Sequence, residues 1–367
     1  MSDSLRTYCA VKRRICQTLP DEHRYRVTNL SLMVTGVVRS RSVQQSQVAG
    51  EVPFCCQDKS LMQRQRRFLR NLAVEINRFY GPFIRPFLQA RRKHMLPLIL
   101  DSSPAGRYCQ MLMAACGYQH HALPLAWSAR KGQKGHFPTA EHLKVMERAA
   151  AHIPKQAPVV LLGDGEFGNI ALAQDAVARD WHYVLRTACD DLIWIEEEPY
   201  PLSEFQVGPG ETLWLENVLW TSARFGPVNV AVTWDESEEA PMYLVTCFEL
   251  LGETLYWYER RPWIEPMFRD DKSMGFNLQK SHLRDPERTM RLLLIICIAY
   301  LWIMFLGCMA VMFDFVRLID RADRRDCSLF TYGLRWLRRL LKTDAYIPVR
   351  FRPYPFLRLP VVRGVGS

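Results

Sequence analysis

An α/β fold is what this chain of 367 residues predicts: a mixed sheet flanked by helices, with an all-α region ahead of it and a β-rich insertion within it. Three patterns carry that expectation. Short apolar runs, LPLIL before Asp101 and PVVLLG before Asp164, have the length and composition of buried strands. Residues 59–93 place apolar and cationic side chains at helical spacing. Residues 190–259 contain alternating runs (TLWLENVLW, PVNVAVTW, MYLVTCF) separated by Gly, Pro and acidic clusters, which reads as short strands and turns.

Taken in order, residues 1–95 read as helical and cationic. Between residues 59 and 93 there are ten Lys or Arg against one acid, Glu75. On a helix Phe68, Leu69, Leu72 and Ile76 fall within about 100° of one another. Arg66, Arg67 and Arg70 take the opposite side. One face can pack and the other can neutralise phosphates, although an ordinary soluble amphipathic helix has the same pattern. No helix-turn-helix signature singles out a recognition helix.

The strand ending at Asp101 is followed by QMLMAACGY and ALPLAWSAR, a hairpin turning around Gln119, His120 and His121. Residues 139–152 read as a helix crossing over to the Asp164 strand. A polar residue at the exit of a buried strand points into a cleft rather than the core. The acidic stretch 190–259 has fifteen Asp or Glu and one base, Arg224, for a net of −14. The whole chain is +10, so the remainder carries +24. Such a face repels DNA and is expected to point away from it. Trp214, Trp220 and Trp234 within it are expected to be core residues, with a base-stacking role as the alternative.

Residues 292–313 are apolar without interruption, long enough to span a bilayer. Asp285-Pro286-Glu287 just before them is a good helix start. No second run of this kind occurs, and a helix apolar all round also suits the centre of a large core. A buried core helix, not a membrane span, is the expectation. In residues 317–363 twelve basic residues face four acids. RWLRRLLK reads as a short amphipathic helix for DNA or a partner subunit, and the Pro- and Arg-rich end as an extended segment, with a disordered tail as the plainer reading. The eleven cysteines show no CxxC pair and no zinc spacing, which argues against a zinc site and suits reduced, intracellular thiols. No secretory signal is visible at the start. The basic balance suits a polyanionic partner.

The segment YERRPWIEPMFRDDK sets Tyr258, Arg261, Glu265 and Lys272 at intervals of three, four and seven. At about 100° per residue they share an arc of about 60°. Trp263, Ile264, Met267 and Phe268 fall mostly on the other side. Pro262 belongs in the first helical turn, leaving Tyr258 just outside the regular helix. A solvated face with i,i+4 ion pairs would also look like this. The spacing, however, resembles the Y-x2-R-x3-E-x6-K signature of bacterial insertion-sequence transposases of the DDE class. Lys272-Ser273-Met274-Gly275-Phe276, followed by a very apolar helix, resembles the same family.

That resemblance covers residues 96–313 and implies a ribonuclease-H-like core. It implies catalytic, metal-binding Asp101, Asp164 and Glu265, with two Mg²⁺ or Mn²⁺ ions. Such ions activate an attacking water or hydroxyl and stabilise the leaving oxygen of a phosphodiester. Tyr258, Arg261 and Lys272 would bind DNA phosphates near the cleaved end. The implied organisation is a helical DNA-binding domain (1–95), a core in two parts (96–189 and 257–313), an acidic β-rich insertion (190–256) and a basic C-terminal region (314–367). Arg66, Arg67 and Arg70 would contact DNA in the first of these. Implied partners are double-stranded DNA with inverted-repeat ends, target DNA, and a second copy of the chain in the DNA complex. The implied setting is the bacterial cytoplasm, at the nucleoid. A transposase-derived end-binding protein without cleavage activity is the alternative.

Overall fold

The computed structural model describes residues 2–54, 56–132, 134–321 and 327–357. Five helices come first: α1 (Asp3–Thr18), α2 (Arg24–Ser40), α3 (Gln45–Gly50), α4 (Asp58–Arg70) and α5 (Ile76–Ala90). On α4, Phe68 and Leu69 are buried while Arg66, Arg67 and Arg70 are exposed. The apolar stripe does not continue as expected. Leu72 is 79% exposed and lies beyond the end of α4. There the Asn71 side chain accepts the Ala73 N–H at 3.0 Å, a local turn that competes with the helix. A new helix then starts at Ile76, with the Glu75 carboxylate capping the Asn77 and Arg78 N–H groups.

Ten strands form one sheet. They are β1 (Leu96–Pro104), β2 (Cys109–Tyr118), β3 (His121–Lys131), β4 (Val159–Gly163), β5 (His182–Thr187), β6 (Leu192–Ile195), β7 (Glu198–Pro201), β8 (Thr212–Trp220), β9 (Phe225–Thr233) and β10 (Met242–Thr246). Their order across the sheet is β3-β2-β1-β4-β5-β10-β9-β8-β6-β7. The first three pair antiparallel, and β1, β4 and β5 run parallel. Gln119 and His120, both at positive φ, make the tight β2–β3 turn. Parallel neighbours need crossover connections. These contain α6 (Thr139–Ala150) before β4 and α7 (Ile170–Ala178) between β4 and β5.

The acidic stretch extends this sheet: β10 pairs antiparallel with β5, and β9, β8, β6 and β7 follow outward. Of its three tryptophans only Trp220 is fully buried. Trp214 and Trp234 stay half-exposed, their indole N–H groups donating to Glu216 and to the Glu238 carbonyl.

The chain then returns through α8 (Leu251–Tyr258), α9 (Ile264–Arg269), α10 (Pro286–Met312) and α11 (Leu329–Lys342). Asp285 caps α10 by accepting the Arg288 N–H. From Leu292 to Leu306 every α10 residue is buried, packed against α2, α5, β3 and α11. The apolar run is thus the central helix of the core. At its start the buried Arg291 donates to the carbonyls of Leu69, Val74 and Glu287, tying the N-terminal helices to the sheet region. Where α10 crosses α11 the backbones nearly touch. A Cβ on Gly307 would lie 1.8 Å from the Leu329 carbonyl oxygen, and one on Gly333 would lie 2.0 Å from that of Ile303.

The C-terminal segment departs from the plainer reading of a disordered tail. Ile347, Val349, Phe351 and Leu357 are buried. Trp302 donates to the Pro348 carbonyl at 3.0 Å, and Tyr118 to the Tyr354 carbonyl at 2.6 Å. The arginines hid a period-two apolar pattern that gives this segment a face to bury. The last ten residues of the expected tail lie outside the described residues.

Candidate active site

Register places the two aspartates. On the parallel pair β1 and β4, Ile99 lies opposite Leu162. Asp101 and Asp164 each come two residues later, so they project on the same face of neighbouring strands. Asp101 lies within β1, half-buried, and its Oδ1 accepts the Ser102 N–H at 2.7 Å. Asp164 follows the last residue of β4 and caps the next turn by accepting the Glu166 N–H at 3.1 Å.

The signature segment lies across this edge, but not as one regular helix. After α8 comes a 3₁₀ turn at Arg261–Trp263, then α9, then a π-helical turn at Asp270–Met274. Pro262 lacks an N–H and cannot continue the preceding helical ladder, which accounts for the first change. Arg261 comes out of that turn pointing at the aspartates. Its guanidinium lies 3.4 Å from Asp101 Oδ2, donates to Asp164 Oδ2, and donates to Glu265 Oε1 at 3.0 Å. Three acids from β1, the end of β4 and α9 therefore meet on one cation. Arg261 is largely buried, while the Glu265 side chain is 53% exposed, so the cluster opens to solvent on the Glu265 side.

Burial dominates the electrostatics of the cluster. Burial pushes the Asp101 carboxyl up to about 6. Arg261 opposes that shift, and the Asp164 and Glu265 carboxylates add to it. Tyr258 is pushed up to about 12, chiefly by burial, with Arg261 and Arg186 opposing and Asp164 adding. Its phenol therefore stays protonated and able to donate. Burial lowers the Lys272 ammonium, while the Asp101 and Asp271 carboxylates pull it back. Lys272 also sits 5.6 Å over the Phe268 ring. All four signature residues are thus within electrostatic reach of the paired aspartates. Arg66, Arg67 and Arg70 are not: no described ion pair or hydrogen bond links them to the acids, and Arg66 instead donates to Gln45 at 2.9 Å. The N-terminal helices do touch the segment elsewhere. Arg41, just past α2, donates to the Met274 carbonyl at 2.5 Å, and Asn277 donates to the Arg41 carbonyl at 2.8 Å.

Two side chains of the site escaped the sequence reading. Glu166 accepts from Ser102 Oγ at 2.9 Å and from the Phe137 N–H at 2.8 Å, with His142 Nε2 at 3.3 Å. Burial raises its carboxyl, but the bonds from His142, Phe137, Ser102 and His136 prevail and hold it at about 2. It locks the residue after Asp101 to the turn after Asp164. Its position in Asp164-Gly165-Glu166 was a usable signal. Arg186, exposed on β5 one residue past the Gly163–Leu185 pairing and acting on Tyr258, is the other. An arginine at the exit of WHYVLRT repeats the logic that singled out the aspartates.

Just beyond α9, Asp270 and Asp271 are buried with carboxylate oxygens that have no hydrogen-bond partner. Burial pushes Asp270 up to about 7 and Asp271 well above the ordinary range.

The donor set of Asp101, Asp164 and Glu265 is all carboxylate oxygen, the chemistry that hard divalent cations take. As placed, no group of three or more His, Cys, Asp or Glu among the described residues is close enough to hold a metal ion. Arg261 stands between the three acids instead. The residues fit a divalent cation by type, on condition that Arg261 yields its place.

No protein-family model matches the chain, and no curated protein matches it. Among solved structures, the piggyBac transposase synaptic complex with hairpin DNA is similar at a TM-score of 0.42 and 11% identity. The match covers 95% of this chain and 83% of that one.

Proposed function

We propose that the chain is a metal-dependent DNA transposase with a ribonuclease-H-like core, cleaving and joining phosphodiester bonds at the ends of an insertion sequence. The carrying observation is the meeting of Asp101, Asp164 and Glu265, from three separate elements, on the Arg261 guanidinium. The family resemblance, carried by the Y-x2-R-x3-E-x6-K spacing together with the two upstream aspartates, implies that set of acids, which span more than 160 positions of chain. The strand order β3-β2-β1-β4-β5, with the first three antiparallel, supports the core assignment.

In this reading Asp101, Asp164 and Glu265 would hold two Mg²⁺ or Mn²⁺ ions, which when bound would supply Lewis-acid activation of a phosphodiester. Arg261 neutralises the three acids until then and turns to a DNA phosphate afterwards. Tyr258, protonated, donates a hydrogen bond to a phosphate oxygen, and Lys272 supplies a point charge to another. Arg186 is placed to join them. Glu166 keeps the two aspartates in register by tying Ser102 to the turn at Asp164. The exposed faces of Arg66, Arg67 and Arg70 suit backbone contacts with inverted-repeat DNA, and a pair of chains would hold the two ends.

Strand cleavage and gel shifts on duplexes carrying the element's ends test this reading. Asp101→Ala, Asp164→Ala and Glu265→Ala should each abolish cleavage while leaving end binding intact. Normal cleavage by any one variant removes that residue from the site. A wild-type chain that binds ends and never cuts them would instead be an end-binding protein.

A further inference from the structure

The docked C-terminal segment builds a second cationic site, away from the acids. Along it Ile347, Val349 and Phe351 point inward while Arg350 and Arg352 are exposed. The segment is fixed at several points. Trp302 holds the Pro348 carbonyl, Tyr118 holds that of Tyr354, and Phe351 packs edge-on against Phe83 of α5 with ring centres 4.9 Å apart. Helix α1 is tied to its start, where Arg6 donates to the Ala345 carbonyl at 2.6 Å and pairs with Asp344 at 2.5 Å. Arg14 of α1 then joins Arg350 and Arg352 in lining one cavity of about 330 Å³, whose floor includes Pro82, Phe83 and Pro86.

No carboxylate lines this cavity. Among the described residues none of the three arginines pairs with an acid, and Arg14 donates only to Gln17. Like charges gathered this way repel one another, and an anion between them turns that repulsion into attraction. The guanidinium fork matches the oxygens of phosphate better than it matches a spherical anion. The three arginines come from opposite ends of the sequence, so chain folding alone assembles them.

We propose that this cavity binds phosphate groups through Arg14, Arg350 and Arg352. The phosphodiester backbone of DNA and a free phosphate compound share that chemistry. The assignment does not depend on the acids' role, because the cavity contains none of them.

The test uses the full chain with Arg14→Gln, Arg350→Gln and Arg352→Gln combined. A control with Lys144→Gln, Lys155→Gln and Arg224→Gln has the same change of charge at exposed sites elsewhere. Duplex DNA affinity is measured across a salt series, and thermal shifts are measured with inorganic phosphate and with ATP. On the DNA arm, the cavity variant should lower the slope of log K against log[salt] by about 2–3, at roughly 0.9 per lost phosphate contact, well beyond the control. On the other arm, the variant should lose the thermal shift that phosphate or ATP gives the wild type and the control. The first result assigns the cavity to DNA backbone, the second to a free phosphate compound. A cavity variant that matches the control with all three probes overturns the proposal. Should the triple variant unfold early, Arg352→Gln alone against Lys155→Gln alone makes the charge-matched comparison at exposed positions, with an expected change in slope of about 0.9.

Discussion

Between Leu251 and Met274 the chain changes helix type three times, whereas from Pro286 to Met312 it runs as a single α-helix. The first region keeps Arg261, Glu265 and Lys272 near the paired aspartates and leaves one carboxylate oxygen of Asp270 and both of Asp271 buried without a hydrogen-bond partner. The second buries an almost unbroken apolar surface. Burying unpartnered polar groups costs free energy, and burying apolar surface returns it. The contrast teaches a division of labour: α10 supplies the stability that allows the signature segment to hold irregular, charge-rich geometry. A π-helical turn beside candidate catalytic groups fits the same pattern.

The largest expected effect tests the first region. Asp164→Asn should reduce cleavage beyond the roughly 100-fold typical of groups that merely support metal ligands. The melting temperature should hardly move, since Asp164 is partly exposed. A parallel loss of folding, read by circular dichroism, would mean that the acids serve structure instead.

The next effect tests the second region. Gly307→Ala and Gly333→Ala force a Cβ into the backbone of the crossing helix. Each should destabilise the fold by about 1–3 kcal/mol or more. Chemical denaturation measures this, and DNA cleavage at low temperature should survive in whatever fraction remains folded. An unchanged unfolding midpoint would show that the α10–α11 contact can relax freely.

A third prediction crosses the boundary between the regions. Asp270 titrates at about 7 in the folded chain against an ordinary 3.8. The folded state therefore holds this proton more tightly than the unfolded state does. Its contribution to stability is fully present below about pH 4 and is lost as pH rises through about 7. His121, 3.8 Å away, is pushed down to about 4 by burial and stays neutral across most of that window. Asp270→Asn cannot ionise and should thus stabilise the protein at pH 8 by about 1–3 kcal/mol, less than the full linkage allows because the amide is itself a buried polar group. The gain should shrink at pH 5. Melting curves at both pH values decide it, and a gain independent of pH would detach it from ionisation.

The smallest effect concerns Lys272. Lys272→Ala should lower the salt slope of end binding by about 0.9, one phosphate contact. It should stall complex assembly, whereas Glu265→Gln should stall after assembly. Gel shifts followed by Mg²⁺ addition to isolated complexes separate the two steps. Normal assembly with an unchanged slope, but no cleavage, would give Lys272 a direct part in the chemistry.

Much of this was legible in local pattern. The strand before Asp101, the hairpin at Gln119 and His120, the helix over 139–150 and the cap at Asp285 all follow from spacing and end signals. Spacing read on an ideal helix could not show the breaks at Pro262 and at Asp270, nor that α4 ends before Leu72. The docked segment from Ile347 to Leu357 was hidden because its arginines outweigh its apolar residues in composition, although not in alternation. Glu166 and Arg186 were missed because each is an unremarkable residue until a neighbouring strand supplies its partners.

By itself the sequence determined most of the strands and helices, where the apolar centre lies, and that Asp164 stands at a strand exit; Asp101, expected at an exit too, lies inside β1, which continues to Pro104. Those properties depend on side chains a few positions apart. Only the tertiary structure decided that Ile99 pairs with Leu162, so that Asp101 stands beside Asp164, and that Arg261 bridges both to Glu265. It likewise decided that Arg14 meets Arg350 and Arg352 in one cavity. Register between distant strands, and the docking of one chain end on the other, are set by packing across the whole core, which no short window of sequence contains.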